Sequence, residues 1–287
     1  MKGNHNTTRS SLGRMEAGFL AKVGALPAFG IDAARQILGH KKSDPTPQFL
    51  ERLQNKGWIV RIRRGRYATV PLSSGEDRTP QLHEFVVAME LVSPAVIAYW
   101  SALNHHGMTE QLPRTVFVAT DHPVRRQPGE VLGVSYKIVS VRPGKFFGGA
   151  MDWIGEMPFS VTDREKTIID GLDLPKYVGG VGEIARALMG AWKTLDEKKL
   201  VEYALKIGNS AVAKRLGFIM ESLGFGDIEA IRKAIQLAPG FSPLDPTMAG
   251  RGKYNRRWGL LVNAEIKPFG ADAERLAGFR SSVERMG

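Results

Sequence analysis

The chain has 287 residues, which is long enough for two domains that each bury a sizeable core. It is 43% hydrophobic and 24% charged and has no cysteine, which excludes disulfide frameworks, cysteine-ligated zinc and thiol chemistry. No apolar run has the length of a signal peptide or a transmembrane span, so we expect a cytoplasmic location and no membrane partner.

The positive charge is concentrated in the first quarter of the chain. Residues 1–72 contain 13 Lys and Arg against 4 Asp and Glu, a net of +9, whereas residues 73–287 contain 27 against 25, a net of +2. Such asymmetry favours a polyanionic partner for the first quarter. A basic, solvated surface with no partner is the alternative, and charge alone leaves it open.

The first elements in chain order are three predicted helices. Residues 1–13 are polar and are expected to form a mobile basic extension. Apolar spacing then predicts helices over 14–23 and 31–38. A third helix is expected to begin near Thr46, with Thr46 as the N-cap and Pro47 at the first helical position. Gly57 is expected to end that helix in a left-handed conformation.

Two short apolar strands follow, joined by a turn that is rich in arginine. Gly65 provides the positive φ that a tight hairpin needs. Helices followed by such a hairpin indicate a winged helix-turn-helix over residues 14–72. The third helix is expected to enter a major groove, where Gln and Asn pair with adenine and Arg with guanine, while hairpin arginines hold phosphates. The DNA-binding candidates from this region are Lys41, Lys42, Thr46, Gln48, Arg52, Asn55, Lys56, Arg61, Arg63, Arg64 and Arg66.

The rest of the chain predicts a larger α+β domain over residues 80–287, after a linker at 71–78. Helix is expected over 82–92, a strand or turn feeding a short helix over 94–106, and strands over 115–120, 133–141 and around 146–151. The second half is expected to be mainly helical, over 162–172, 179–189, 196–207, 210–223 and 225–237. A basic stretch at 251–258 and a strand at 259–266 follow.

Several short motifs in a shared order carry a resemblance. They are Arg-Arg-Gly-Arg-Tyr at 63–67, Ser-Ala-Leu-Asn-His-His-Gly at 101–107, Thr-Asp-Arg-Glu-Lys-Thr-Ile-Ile-Asp-Gly-Leu at 162–172, Tyr-Val-Gly-Gly-Val-Gly-Glu-Ile at 177–184 and Lys-Arg-Leu-Gly-Phe-Ile-Met-Glu at 214–221. Together they resemble the AbiEi-type antitoxin family of bacterial type IV toxin–antitoxin systems, over most of residues 15–265. The proline-rich tail and the basic N-terminal extension depart from the family pattern.

The resemblance implies a repressor of its own operon that binds double-stranded DNA at its own promoter, in repeated half-sites. It implies a functionally paired nucleotidyltransferase-like toxin, with no direct contact expected between the two proteins. It also implies DNA contacts from basic residues of the C-terminal domain, which here map onto Arg251, Lys253, Arg256 and Arg257. We expect no catalytic activity and no cofactor.

Three patterns suggest chemistry of another kind. Asp245 with Glu265 and Lys267 has the skeleton of a metal-dependent nuclease site, although Asp245 also lies in a turn where it can bond local backbone. The glycines at 179–182 could cradle phosphate, but they lack the Walker lysine, which favours a simple helix-entry turn.

The remaining pattern is a pair of adjacent histidines with nearby acids. His105 and His106 diverge by about 100° on a helix, so we expect one packed and one exposed histidine rather than a metal pair. Thr162 and Glu165 are expected to form a capping box, with Asp163, Glu165 and Asp170 as capping and surface acids. The alternatives to an antitoxin repressor are a winged-helix nuclease and a regulator whose C-terminal domain senses a ligand.

Overall fold

A computed structural model describes residues 11–71, 80, 82–235 and 238–266. The fold is α+β, with several sheets and a mainly helical second half, as the sequence predicts. The helices are α1 Arg14–Val23, α2 Ile31–Leu38, α3 Thr46–Asn55, α4 Glu84–Leu91, α5 Tyr99–His105, α6 Arg164–Asp173, α7 Val181–Ala191, α8 Glu197–Lys206, α9 Ser210–Leu223 and α10 Ile228–Ala234.

The strands are β1 Phe29–Gly30, β2 Ile59–Arg63, β3 Arg66–Thr69, β4 Val96–Ile97, β5 Thr115–Thr120, β6 Gly129–Val131, β7 Val134–Ser140, β8 Gly149–Ile154, β9 Met157–Thr162, β10 Ser242–Pro243, β11 Lys253–Asn255 and β12 Leu260–Val262. They form sheets in the orders β1-β3-β2, β6-β7-β5-β4-β9-β8 and β10-β12-β11. Within the described ranges, no helix combines the length and the hydropathy needed to cross a membrane.

The N-terminal unit combines α1–α3 with the small antiparallel sheet β1-β3-β2. The predicted bounds of α1 and α2 are confirmed, and Gly57 and Gly65 have φ values of 74°. Glycine tolerates this left-handed conformation because it has no Cβ. The helices enclose an apolar core in which Phe19 packs edge-on against Phe29 and Phe49.

The sheet of this unit is buried on both faces. Ile59 points into the core under α1–α3, whereas Ile62 and Ala68 belong to a second core that includes Phe85 of α4. Strand side chains alternate between faces, so this division follows from the strand period. The hairpin is therefore packed against the larger part of the chain. Most of the predicted linker at 71–78 lies outside the described residues.

The six-stranded sheet is mixed. Its centre pairs β5 in parallel with β7 and antiparallel with β4, and β8 and β9 form an antiparallel hairpin at one end. One face packs on α4 through the second core, which contains Val118, Ile138 and Phe159. The sequence prediction missed β6 and β9. It placed β8 about three residues too early, because the apolar run at Phe146 and Phe147 comes before the strand.

The helices α6–α10 surround the largest core and hold the C-terminal strands. Trp258 is fully buried in that core, and its ring lies against Gly217 of α9. A Cβ at Gly217 would come within 2.1 Å of the Trp258 ring. The Trp258 indole N–H donates to the Glu221 carboxylate at 2.5 Å. This contact fixes the sheet β10-β12-β11 to α9.

The predicted capping box of Thr162 and Glu165 at the start of α6 is wrong, whereas the capping role predicted for Asp163 is confirmed. The N-cap is Asp163, whose carboxylate accepts from the Lys166 N–H at 2.7 Å, so Thr162 does not cap the helix. Thr162 instead ends β9 and is buried, and its hydroxyl bonds that of Thr167 at 2.8 Å. Glu165 accepts from the backbone N–H of Asp196 and pairs with Lys199.

The acids predicted for the surface of α6 are buried in the fold. Glu165 and Asp170 are only 6% and 5% exposed. Burial raises the pKa of Asp170 to about 6, although the paired Lys166 acts in the opposite direction. Asp173, on the same helix, pairs with Lys145 at 2.6 Å and accepts from Asn209 at 2.7 Å. Buried charges need such partners, so these groups belong to the packing of the helical layer.

Gly217→Ala is expected to lower the free energy of unfolding by about 2–3 kcal/mol, because the added methyl overlaps the Trp258 ring. The matched control is Gly190→Ala in α7, where nothing lies within 4 Å of the new Cβ. It should be neutral or stabilise by about 0.5 kcal/mol. Urea denaturation of both variants measures the difference, and equal stability would contradict the packing described for Trp258.

Candidate nucleic-acid interface

Helix α3 is anchored through one face and leaves the other open. Phe49, Leu50 and Leu53 are at most 1% exposed and pack into the N-terminal core. The opposite face contains exposed polar side chains, as the helical spacing predicts; these are Gln48, Glu51, Arg52, Gln54 and Asn55. The Arg52 guanidinium lies 5.7 Å from the centre of the Phe49 ring, which steadies it at the edge of the core. The open face has donors and acceptors of the kind that read base edges.

The structure places Thr46 differently from the prediction. The N-cap of α3 is Pro45, and Thr46 is the first helical residue. Its side chain is fully buried, and its hydroxyl oxygen lies 3.0 Å from Nδ1 of His40. Thr46 therefore positions the turn before α3 and has no surface with which to contact a base or a phosphate.

Lys56 is held by an ion pair within the N-terminal unit. Its Nζ lies 2.7 Å from the Glu16 carboxylate and donates to the carbonyl of Ser11. Although burial acts in the opposite direction, the Lys56 ammonium and the Gly13 N–H hold the pKa of Glu16 below its usual value. Lys56 therefore joins the C-terminal end of α3 to α1, and its charge is already compensated.

The arginines of the hairpin divide between its two sides. Arg61 is exposed on the side of the sheet that faces the helices, in register with Tyr67, and Arg64 is exposed in the turn. A β-bulge lies between Arg61 and Arg63 and interrupts the strand alternation at this point. Beyond it, Arg63 donates to the backbone carbonyl of Glu90 on α4.

Arg66 is tied to the same residue of α4. Its Nε donates to the Glu90 carboxylate at 2.6 Å, and a terminal nitrogen pairs with the same oxygen. Glu90 is thus a structural residue of the interface that the sequence prediction missed. No signal in the sequence marks it, because it lies 24 residues from Arg66 and the two meet only through the tertiary packing of α4.

The turn between α2 and α3 presents two more cations. Lys41 and Lys42 are both exposed. Within the described part of the chain, five cations of the N-terminal unit's predicted DNA-binding set have neither a carboxylate partner nor a side-chain hydrogen bond to a carbonyl. We refer to them as the open cations; they are Lys41, Lys42, Arg52, Arg61 and Arg64.

The C-terminal basic stretch is also divided. Arg251, Lys253 and Arg256 are exposed and make no ion pair in the ranges that the structure covers. Arg257 pairs with Glu221 at 2.8 Å and with Glu229 at 2.5 Å, so it connects α9 and α10. The two exposed aromatic rings of Phe241 and Tyr254 lie edge to face near this stretch, 4.8 Å apart.

The carboxylate of Asp245 has a structural role. One oxygen accepts from the Val181 N–H at 2.7 Å, and the other accepts from the N–H and the hydroxyl of Thr247 at 2.8 and 2.6 Å. Asp245 is 2% exposed, so no metal can reach it without displacing these donors. Glu265 is exposed, and Lys267 lies outside the described residues. Asp245, the first acid of the nuclease pattern, therefore accepts a hydrogen bond from the first turn of α7.

The same contact explains the glycines at 179–182. Gly180 is the N-cap of α7 with a φ of 98°, and a Cβ there would lie 2.7 Å from the Asp245 carboxylate. The helix N-terminus is thus compensated by the protein's own anion, at the position where a phosphate would otherwise bind. The interpretation of this segment as a helix-entry turn agrees with the structure.

The two histidines have separate partners. His105 Nε2 lies 2.8 Å from the Asp152 carboxylate, and His106 Nε2 lies 2.6 Å from the Thr162 carbonyl oxygen. Both rings are half-buried, so the prediction of one packed and one exposed histidine is wrong. Burial lowers the pKa of His106. Among the described residues, no group of three or more His, Asp and Glu side chains is arranged to hold a metal ion.

Comparison with known proteins gives a likeness of fold. No protein-family model and no curated protein matches the chain. The chain is similar to a solved structure described as the crystal structure of RV2827C protein from Mycobacterium tuberculosis, with a TM-score of 0.61 and 13% sequence identity. The match covers 95% of this chain and 98% of that one. Its extent shows that the α+β arrangement described above occurs as a whole in another protein.

Lys56→Met is expected to destabilise the N-terminal unit by about 1–2 kcal/mol at pH 7, because it leaves the Glu16 carboxylate partly buried without its ammonium partner. The pKa of Glu16 is lowered in the folded state, so the stabilisation is present above its unfolded pKa near 4.5. It is lost as the pH falls through the lower, folded pKa.

The difference in stability between wild type and Lys56→Met should therefore shrink in acid. Denaturant titrations of both proteins between pH 7 and pH 3 provide the measurement. A difference that stays constant over this range would show that Lys56 acts through packing alone. Glu16→Gln is the matched control. When both proteins carry it, the stability difference between Lys56 and Lys56→Met should no longer depend on pH.

Proposed function

We propose that the chain is a sequence-specific repressor that binds double-stranded DNA through a winged helix-turn-helix in its N-terminal unit. Helix α3 enters a major groove with Gln48, Arg52 and Asn55 towards the base edges. The open cations flank this helix and contact the phosphate backbone on either side. Base contacts give the specificity, and phosphate contacts give the register and the dependence on salt.

The observation that carries the proposal is the partition of the basic side chains. Lys56 and Arg66 pair with carboxylates, and Arg63 is held by a hydrogen bond to a backbone carbonyl, whereas the open cations have neither kind of partner among the described residues. A protein gains nothing in stability from uncompensated charges of one sign, which repel each other. Around a helix with an exposed amide-rich face, such charges fit the phosphates of a duplex.

We further propose that this repressor is the antitoxin of a type IV toxin–antitoxin operon. The support is the ordered set of motifs that resembles the AbiEi-type family. The protein would repress its own promoter at repeated half-sites and counter a co-encoded nucleotidyltransferase-like toxin without a stable complex. Arg251, Lys253 and Arg256 are available to add phosphate contacts from the C-terminal part. Arg257 is the weakest member of that set, because two carboxylates already hold it.

The test is a mobility-shift titration on the DNA upstream of the protein's own gene, with a scrambled duplex as competitor and Mg²⁺ in a parallel series. A retarded, intact band that the scrambled duplex does not displace supports a sequence-specific repressor. Equal affinity for both duplexes would contradict it. DNA that is cut in Mg²⁺, with cutting abolished by Glu265→Ala, would support the nuclease alternative instead.

The arginines provide a sharper prediction. Replacing Arg61 and Arg64 together by Ala should weaken binding to all duplexes and reduce the slope of log affinity against log salt by about 2, since each phosphate contact contributes about 0.9. The matched control replaces Arg63 and Arg66, which are tied to Glu90, and should change the slope far less. Fluorescence anisotropy between 50 and 200 mM salt, a range typical of such titrations, measures both. Equal slopes for the two variants would contradict the proposal that Arg61 and Arg64 contact phosphates while Arg63 and Arg66 do not.

A further inference from the structure

Strand β8 forms one edge of the six-stranded sheet, as far as the described residues extend. Two of its side chains are large, apolar and mostly exposed, with Met151 at 61% and Trp153 at 60%. The strand contains no Lys, Arg or Pro, which are the residues that usually protect a sheet edge from pairing. An edge with these properties is a candidate for strand addition.

The hydrogen bonds of the hairpin show which backbone groups point outward. Gly148 accepts from the Asp163 N–H at 2.8 Å, and Ile154 lies opposite Met157 across the two-residue turn. Bonded pairs therefore involve even-numbered residues of β8, because pairs alternate along an antiparallel ladder. Gly149, Met151 and Trp153 direct their N–H and C=O groups away from β9.

The same three residues share one face of the sheet, since strand side chains alternate. At Gly149 this face borders a hollow of about 360 Å³. The hollow is mainly apolar; its lining includes Pro94, Val96, Phe146, Phe147 and Met151. Gly149 contributes no side chain to it, and the nearest side-chain atom to a Cβ built there belongs to Val96, at 3.4 Å.

We propose that β8 pairs with β8 of a second copy of this chain, antiparallel and centred on Met151. In this register Met151 faces Met151 and exchanges both backbone hydrogen bonds with it. Trp153 of each copy faces Gly149 of the other, on the same side of the sheet. The indole then covers the hollow beside Gly149, where the absence of a Cβ leaves room for it. An aromatic ring opposite an edge glycine is a recognised stabilising pair.

A second copy fits this edge because β8 contains both partners of the contact, the Trp153 indole and the open site at Gly149. A two-fold axis through the Met151 pair satisfies both strands with one set of contacts, which is the geometry of an isologous interface. The outward N–H of Trp153 is the one group already engaged, by its neighbour Asp152 at 2.8 Å. The hydrogen bonds between the two Met151 residues, and the bond from the Gly149 N–H of one copy to the Trp153 carbonyl of the other, can form while Asp152 keeps its bond to the Trp153 N–H.

The native sequence lacks cysteine, which makes a single-cysteine test direct. Met151→Cys places a thiol opposite its own copy, at the Cα separation of about 5.5 Å that a disulfide accepts. Mild oxidation should convert most of this variant into a covalent dimer at micromolar concentration. The matched control is Leu112→Cys, at a site that is 83% exposed and outside β8. Equal cross-linking of the two variants would overturn the proposal.

A second measurement does not depend on cross-linking. Light scattering of the purified full chain, without DNA, should give the mass of a dimer. Trp153→Arg should raise the dimer dissociation constant by at least about tenfold, because it removes the indole and places like charges across the two-fold axis. Leu112→Arg should leave it unchanged. A monomeric wild type, or a dimer that Trp153→Arg does not weaken, would refute the pairing. Neither result bears on whether the N-terminal unit binds DNA.

Discussion

The sheet β1-β3-β2 is buried on both faces, and this constraint organises the N-terminal half of the molecule. One face closes the core beneath α1–α3, and the other packs on α4 through Ile62 and Ala68. The exposed side chains of the hairpin are the arginines near its tip, Arg61, Arg63 and Arg64. Because α4 covers the other face of the sheet, Arg61 is exposed on the side of the helices.

The same packing decides which positive charges are available. Arg63 and Arg66 fall on the α4 side, where Glu90 accepts both. Arg61 and Arg64 remain exposed and without a carboxylate among the described residues. Exposed ion pairs contribute little to stability, but they change the local field strongly. Glu90 therefore matters more for the shape of the positive surface than for the strength of the fold.

The C-terminal part satisfies its polar groups internally. Asp245 caps α7, Asp170 pairs with Lys166, and Asp173 pairs with Lys145. Asp245 fits a nuclease pattern when only the sequence is considered, yet in the structure Asp245 and Asp173 each join two segments, and Asp170 pairs within α6. Burial makes unpaired charge costly, so a helical layer that contains several acids requires these partners. Two exposed features of this part are the apolar edge β8 and the basic stretch at 251–256.

Much of the secondary structure could be predicted from the sequence, because it depends on local chemistry. Apolar spacing located α1, α2 and α9 to the residue, and Gly57 and Gly65 marked the turns where only glycine is unstrained. The exposed face of α3 followed from the same spacing. The hairpin β8–β9 was located poorly, because β8 has exposed apolar side chains. Its sequence therefore lacks the alternation of apolar and polar residues that marks a strand.

Contacts between distant segments could not be predicted. The sequence determined that residues 61–66 contain four arginines, but only the position of α4 decided that two are bonded to Glu90 and two are open. It likewise determined that Asp245 precedes Glu265 and Lys267, whereas the fold places Asp245 at the N-terminus of α7. Local propensity acts over a few residues, so it fixes helices and turns. The pairing of charges depends on which surfaces meet, and that is decided only when the cores assemble.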